Sequence, residues 1–183
     1  MRIIAGAAKG RRLRGPPAGT RPFMDRNREA LFSSLGPDVV GTAVLDLYAG
    51  VGSLGLEALS RGAASATFVE SSPQAVVALR ENLAAVGLGG EVVVGDVADF
   101  VSGGRGRYDL VFVDPPYELP LASVEEVLAE LVDRLNPEAV VVLHRRSGDR
   151  PPAIPATMAL IWERQYGDAL IWRYTMTAEE AQP

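Results

Sequence analysis

The residues of this chain best suited to chemistry are Asp114, Pro115, Pro116 and Tyr117, four in a row. The exocyclic amine of a nucleobase is a poor nucleophile, because its lone pair is delocalised into the ring. Two acceptors aimed at its hydrogens can draw the nitrogen toward tetrahedral geometry and point the lone pair at a methyl group. The Asp114 carboxylate supplies one acceptor, and a backbone carbonyl, that of Pro115, supplies the other. The prolines fix φ and carry no N–H to compete for those acceptors. Tyr117 offers a flat face on which an extruded base can stack, worth about 1–3 kcal/mol. A carboxylate at this place also stabilises the positive charge that develops as the methyl moves, so positioning and electrostatics do most of the catalysis. The competing reading is a strand that simply ends in prolines, with Asp114 and Tyr117 as bystanders.

A second constellation precedes the first. The segment DLYAGVGSLG places Gly50, Gly52 and Gly55 in a G-x-G-x-x-G turn between an apolar strand and a helix. Glycines let the backbone turn sharply and approach a ligand, and the helix N-terminus offers unpaired N–H donors. Glu70 closes the next strand, 20 residues after Gly50, where a carboxylate can accept from both ribose hydroxyls. Each such bond is worth roughly 1.5–3 kcal/mol. The pattern suits NAD and S-adenosylmethionine alike. Asp46 inside the first strand favours the second, since a carboxylate suits a cationic amine and sulfonium and suits a pyrophosphate poorly. A dehydrogenase would also need a hydride-handling partner, and no clear candidate is present. Asp96, ending the third strand, fits a contact to the adenine amino group. The expected cofactor is therefore S-adenosylmethionine, leaving as S-adenosylhomocysteine, with no metal. Tyr48 could pack under the cofactor or line its pocket.

The elements that must position these groups are legible as a pattern. From Val44 onward, continuous Val/Leu/Ile runs alternate with helical segments: TAVLDLY, ATFVE, EVVVG, YDLVFVD and AVVVLHR are strands, separated by helices. One helix is expected from about Leu121 to Leu135. Runs without polar alternation are strands buried on both faces, and their alternation with helices gives a doubly wound, mostly parallel α/β sheet. TMALIWERQYG and ALIWRYTM follow without a helix between them, an antiparallel hairpin that brings the sheet to seven strands. Residues 1–24 form a small β-hairpin extension, with strand candidates RIIAGAA and RRLRG around Lys9-Gly10, and residues 25–183 form the catalytic domain. Asp25 is the candidate N-cap of a helix over Arg26–Leu35.

Composition bounds what else the chain can be. Its 183 residues, 48% hydrophobic, suit one domain and a short extension. The absence of cysteine excludes thiol nucleophiles, Cys-ligated zinc and disulfides, and the single histidine, His144, argues against a multi-His metal site. No apolar run approaches the ~20 residues that span a bilayer, so a cytoplasmic protein with no membrane partner is expected. The net charge of −5 hides an asymmetry: residues 1–24 carry Arg2, Lys9, Arg11, Arg12, Arg14 and Arg21 and no acid, a net of +6 against −11 for the rest. Clustered cations gain free energy by displacing counterions from phosphates, so the arm is read as polyanion-binding, with a solvated arm as the alternative.

The cofactor loop together with DPPY resembles the Rossmann-like amino-methyltransferases that act on nucleic acid. Wider stretches, RIIAGAAKGRRLRGPPAGTRP, DRNREALFSSL, DLYAGVGSLGLEALSRGA and FVDPPY, are similar to the RsmD-type methyltransferases. Phe23-Met24 stands where that family usually carries small hydroxyl residues. The resemblance implies methylation of the N2 amine of a guanine, guanine 966 of 16S rRNA, in the small ribosomal subunit or an assembly intermediate, by a monomer. It implies cofactor contacts at Asp46, Tyr48, Ala49, Gly50, Gly52, Glu70, Asp96 and Val97, catalysis at Asp114–Tyr117, and RNA contacts at Lys9, Arg11, Arg12, Arg14 and Arg21. The alternatives are an N6-adenine or N4-cytosine methyltransferase and an NAD-dependent oxidoreductase.

Other candidates carry plainer readings. His144 ends a buried strand and is expected to be packed or solvent-facing and not catalytic. Arg26, Arg28 and Glu29 are read equally as a salt-bridged helix face or as RNA or cofactor contacts, and Trp162 and Trp172 as core.

Overall fold

The computed structural model describes residues 1–16, 25–103 and 106–177. Its helices are α1 (Asp25–Leu35), α2 (Ser53–Ser60), α3 (Pro73–Val86), α4 (Val97–Gly103) and α5 (Leu121–Leu131). Its strands are β1 (Ala43–Leu47), β2 (Ser65–Glu70), β3 (Glu91–Val94), β4 (Tyr108–Val113), β5 (Leu135–Arg146), β6 (Met158–Tyr166) and β7 (Ala169–Met176). They form one sheet in the order β3-β2-β1-β4-β5-β7-β6. Strands β1 to β5 are parallel, while β7 runs antiparallel to both β5 and β6. The doubly wound sheet with its antiparallel C-terminal hairpin is therefore present, and it is the second hairpin strand that joins β5. Among the described residues no helix is long and apolar enough to cross a membrane.

The apolar runs explain the layers. Alternate residues of a strand face opposite sides, so Leu110 and Phe112 of β4 pack with Leu31, Phe32, Leu56, Phe68 and Leu79 on one face. Val111 and Val113 pack with Leu45, Leu47, Leu128 and Trp172 on the other. Both faces are buried, which is why these strands lack polar alternation. Trp172 is fully buried and its indole N–H donates to Glu163 (2.8 Å), while Trp162 is half-buried against the core, as the core reading requires. Helix α3 begins at Pro73 behind the Ser72 cap and ends at Gly87, whose φ of +72° suits a residue without a Cβ.

Helix α5 is shorter than the expected span. It gives way to a 3-10 turn over Val132–Arg134, and Leu135 already pairs with Tyr108. Asn136 precedes Pro137, which disfavours helix there. The buried Arg134 guanidinium also draws the chain onto α4, donating to the carbonyls of Phe100 (2.9 Å) and Val101 (3.1 Å).

The N-terminal arm makes an irregular hairpin with one bridge, Arg2 to Arg12, instead of two full strands. Cross-links Ile3 N–H to Arg11 O (2.9 Å) and Leu13 N–H to Met1 O (3.1 Å) hold its limbs. The pairing stops because the arm spends its other donors on α2. Ile4 and Ala5 N–H donate to the Glu57 carboxylate (2.8 and 3.1 Å), and Ala7 and Ala8 N–H donate to Ser60 O and Oγ (2.7 and 2.9 Å). Gly6 makes the approach possible: its φ is +83°, and a Cβ there would lie 1.7 Å from Ser60 O. Ile3, Ala8 and Leu13 of the arm are buried in the core.

Candidate active site

Strand order reverses between β1 and β4, and in open α/β sheets ligands bind outside the carboxyl ends at that point. The turn after β1 is bent tightly there, with φ of +59° at Tyr48, +56° at Gly50 and +81° at Gly52. Tyr48 is not a glycine, and a side chain in this region costs on the order of 1–3 kcal/mol, strain that concentrates at functional sites. Gly55 allows α2 to lie against β2, since a Cβ there would fall 2.4 Å from the Phe68 ring. Glu70, at the end of β2, accepts from Gly50 N–H and from Ser72 N–H, both at 2.7 Å. The acid and the glycine turn are thus in direct contact. Asp96 caps α4, its Oδ1 accepting from Ala98 N–H (2.8 Å). Ala49 and Val97 are both buried at this edge. The Tyr48 hydroxyl is pushed up to about 12, first by burial and then by Asp96, with Arg145 opposing. Tyr48 is partly buried against the core cluster that contains Leu45, Leu47 and Val97.

Asp46 is turned beneath the glycine turn, 1% exposed, with Oδ2 accepting from Gly55 N–H (2.9 Å). Burial holds its carboxyl well above the ordinary 3.8, the nearby Asp114 and Glu70 carboxylates push it further, and the Gly55 bond partly opposes them. Three carboxylates therefore converge on this edge. The stabilising protonated form is fully present below the ordinary carboxylate value and is lost as pH rises toward the raised folded value. Asp46→Asn, which can keep an acceptor for Gly55, is expected to lessen the fall in stability from pH ~4 upward. Thermal melts across that range test this, and an unchanged dependence in the variant would refute it.

The DPPY loop leaves β4 beside β1, with Asp114 N–H directed at Leu47 O (3.5 Å). Val113 pairs with Leu143 on β5, so Asp114 and His144 emerge side by side. His144 Nδ1 lies 2.6 Å from Asp114 Oδ1, and its Nε2 lies 3.3 Å from the Tyr117 hydroxyl. Arg145, 4% exposed, staples the loop: it donates to the carbonyls of Pro116 (3.1 Å), Tyr117 (3.5 Å) and Leu119 (3.1 Å) while Asp149 holds its Nε (2.9 Å). The Arg146 guanidinium sits 5.1 Å from the Tyr117 ring centroid. His144 is packed, as expected from the sequence, but its partners are the two catalytic candidates. The run HRR at the end of β5 held the missed signal: aligning VFVD with VVLH as parallel neighbours sets His144 against Asp114.

The arm cations lie apart from this cluster, against α2 and α3. Lys9, Arg11, Arg12 and Arg14 are exposed; Arg14 pairs with Glu81, and Arg11 donates to Ala85 O (2.6 Å). Exposed pairs of this kind contribute about 0–1 kcal/mol. Arg21 and Phe23-Met24 lie outside the described residues. Arg28 resolves toward the salt-bridged reading: its side chain is fully buried, bonded to Asp25 (3.0 Å) and 3.7 Å from Glu57. Asn82 ties the arm to the cofactor loop, its amide donating to Arg14 O (3.1 Å) and Val51 O (3.0 Å).

A family model described as "Conserved hypothetical protein 95" matches residues 1–175. Ribosomal RNA small subunit methyltransferase D of Escherichia coli K12 is 38% identical over 186 aligned positions, covering 100% of this chain and 91% of that protein. The chain belongs to the RsmD methyltransferase family. Another relative in that family, from Haemophilus influenzae, is 35% identical over 91% of this chain and 89% of its own length. Among solved structures, yhhF of Escherichia coli, described as a methyltransferase, superposes with a TM-score of 0.87 at 37% identity, covering 98% of this chain and 99% of that one. As an RsmD-family methyltransferase, the chain carries its family likeness over the arm and α1 as well as the sheet.

Proposed function

We propose that this enzyme transfers a methyl group from S-adenosylmethionine to the N2 amine of a guanine in small-subunit ribosomal RNA, guanine 966 of 16S rRNA. The observation that carries the reading is the meeting of DPPY and the glycine turn at the point where strand order reverses. The residues fit a cationic donor: the carboxylates of Glu70 and Asp114 lie at this edge and would repel a dinucleotide pyrophosphate. Glu70 would hold the ribose, Asp96 the adenine amine, and the turn from Tyr48 to Gly52, with Ala49 and Val97, the remainder. Bound there, the donor supplies an electrophilic methyl group and a neutral thioether leaving group.

The chain's own residues then act on the amine. Asp114 and the Pro115 carbonyl accept the two amine hydrogens and turn the lone pair outward. The Arg145 bonds occupy the carbonyls of Pro116, Tyr117 and Leu119, which keeps the loop from refolding onto them. Tyr117 stacks the extruded base as Arg146 gives up the ring face. Once the nitrogen has formed its new bond to carbon, it carries a positive charge and an extra proton, which Asp114 accepts.

The substrate assignment rests on the relatives' names and on the arm. The working state is a cytoplasmic monomer that takes 16S rRNA, free or in an assembling small subunit, with residues 1–24 as the RNA contact. Methylation of rRNA from a strain lacking this gene, followed by nucleoside analysis, should yield N2-methylguanosine. N6-methyladenosine or N4-methylcytidine as the sole product would refute the base assignment, and calorimetry showing tighter binding of NAD than of S-adenosylmethionine would refute the cofactor. Neutralising Arg11, Arg12 and Arg14 should weaken RNA binding and flatten its salt dependence, by about 0.7–0.9 in the log–log slope per lost phosphate contact. An unchanged slope would return the arm to a solvated surface.

A further inference from the structure

The amine chemistry needs an acceptor at Asp114 and a stacking face at Tyr117, yet one side chain touches both. His144, 8% exposed on β5, places Nδ1 at 2.6 Å from Asp114 Oδ1 and Nε2 at 3.3 Å from the Tyr117 hydroxyl. We propose that His144 is a positioning residue for methyl transfer, clamping Oδ1 of Asp114 so that Oδ2 is presented to the target amine and fixing Tyr117 for stacking. The inference rests on the reading of residues 114–117 as the amine-methylating loop.

A carboxylate accepts only, so the hydrogen in the shorter contact is on Nδ1. In the neutral ring Nε2 is then the acceptor, and the Tyr117 hydroxyl donates to it. A single imidazole thereby sets the rotation of one catalytic side chain and the seat of the other. Such a clamp is needed here. The terminal torsion of Asp is broad and two-fold, so a partner on Oδ1 is what selects one rotation of the Asp114 carboxylate. The ring itself is well anchored: His144 pairs with Ile171 in the β5–β7 ladder, and Arg145 beside it is bound to the loop. Its edge also meets the Tyr117 ring in a T-shaped contact with centroids 5.7 Å apart. An acceptor displaced by about 1 Å from its productive place can cost on the order of 100-fold in rate.

The test uses the purified full chain with rRNA from a strain lacking the gene, measuring kcat, KM for RNA and calorimetric affinity for S-adenosylmethionine. His144→Ala should lower kcat about 10–100-fold and leave donor affinity near that of the wild type. His144→Asn, which retains an N–H donor toward Asp114, should recover most of that loss. Because the Tyr117 hydroxyl acts through His144, Tyr117→Phe should cost less in a His144→Ala background than alone. Full kcat in His144→Ala, no recovery by Asn, or equal cost of Tyr117→Phe in both backgrounds would overturn the proposal. If His144→Ala does not fold, the Asn variant decides: donor binding and kcat near wild type support the clamp, and a large kcat loss in folded protein overturns it. Failure of the underlying reading looks different, since Asp114→Ala would then itself keep full turnover.

Discussion

Asp114→Ala should abolish methyl transfer while S-adenosylmethionine binds within a few-fold of the wild-type affinity. The carboxylate is asked for two effects at once, drawing the amine toward tetrahedral geometry and offsetting the charge that grows on it. Losing one such electrostatic group in a water-poor site costs on the order of 100–1,000-fold, and losing the proton acceptor as well costs a comparable factor. Donor affinity should survive because the glycine turn and Glu70 hold each other without Asp114, through the 2.7 Å bond from Gly50 N–H. The variant keeps the Tyr117 contact to His144 and the Arg145 bonds that staple the loop. Single-turnover methylation alongside calorimetry separates the two effects. Full turnover in the variant removes Asp114 from the mechanism.

The second large effect concerns stability. Glu57 has a fully buried side chain, yet it accepts from Ile4 and Ala5 N–H of the arm and pairs with Arg61 (2.8 Å) and with the buried Arg28 (3.7 Å). Removing one member of such a pair leaves the other charge buried without compensation, at a cost of about 3–5 kcal/mol. Glu57→Ala should lower the melting temperature by roughly 6–20 °C, at about 2–4 °C per kcal/mol for a chain of this size. It should also release the arm, whose Arg residues then become early sites of tryptic cleavage. Glu57→Gln, which keeps an acceptor for the arm, should fall between the two. A melting temperature within 2 °C of wild type for Glu57→Ala would show that the arm and Arg28 are held by other means.

These two outcomes bear on different parts of one device. The arm that would meet RNA is docked through Glu57 and Ser60 on α2, the helix that begins at the glycine turn. Asn82 links it further to Val51 within that turn. Loosening the arm is therefore expected to reach the cofactor loop, whereas loosening the DPPY loop should leave the arm in place.

Much of this protein is determined by its sequence alone. The order of strands and helices follows from periodicity, because a strand buried on both faces must be apolar at every position, as in YDLVFVD. The glycine turn, Glu70 at its set spacing and DPPY at a strand end are local patterns, so their placement at one sheet edge could be anticipated from the usual topology of such sheets. The base and polymer proposed above rest on resemblance and on the basic arm, since the chemistry read from DPPY is that of an amine and is silent on what carries it.

Other features were decided by the tertiary structure, for a common physical reason: they depend on contacts between residues far apart in the chain. Whether a carboxylate faces a ligand or the interior is not encoded in its spacing, and Asp46 proves to be turned under the loop onto Gly55. The arm forgoes a full hairpin because α2 offers its amides better partners, Glu57 and Ser60, more than 50 residues away. His144 and Arg145 looked like the polar end of a buried strand. Only the register of β4 against β5 sets them beside Asp114 and the carbonyls of its loop.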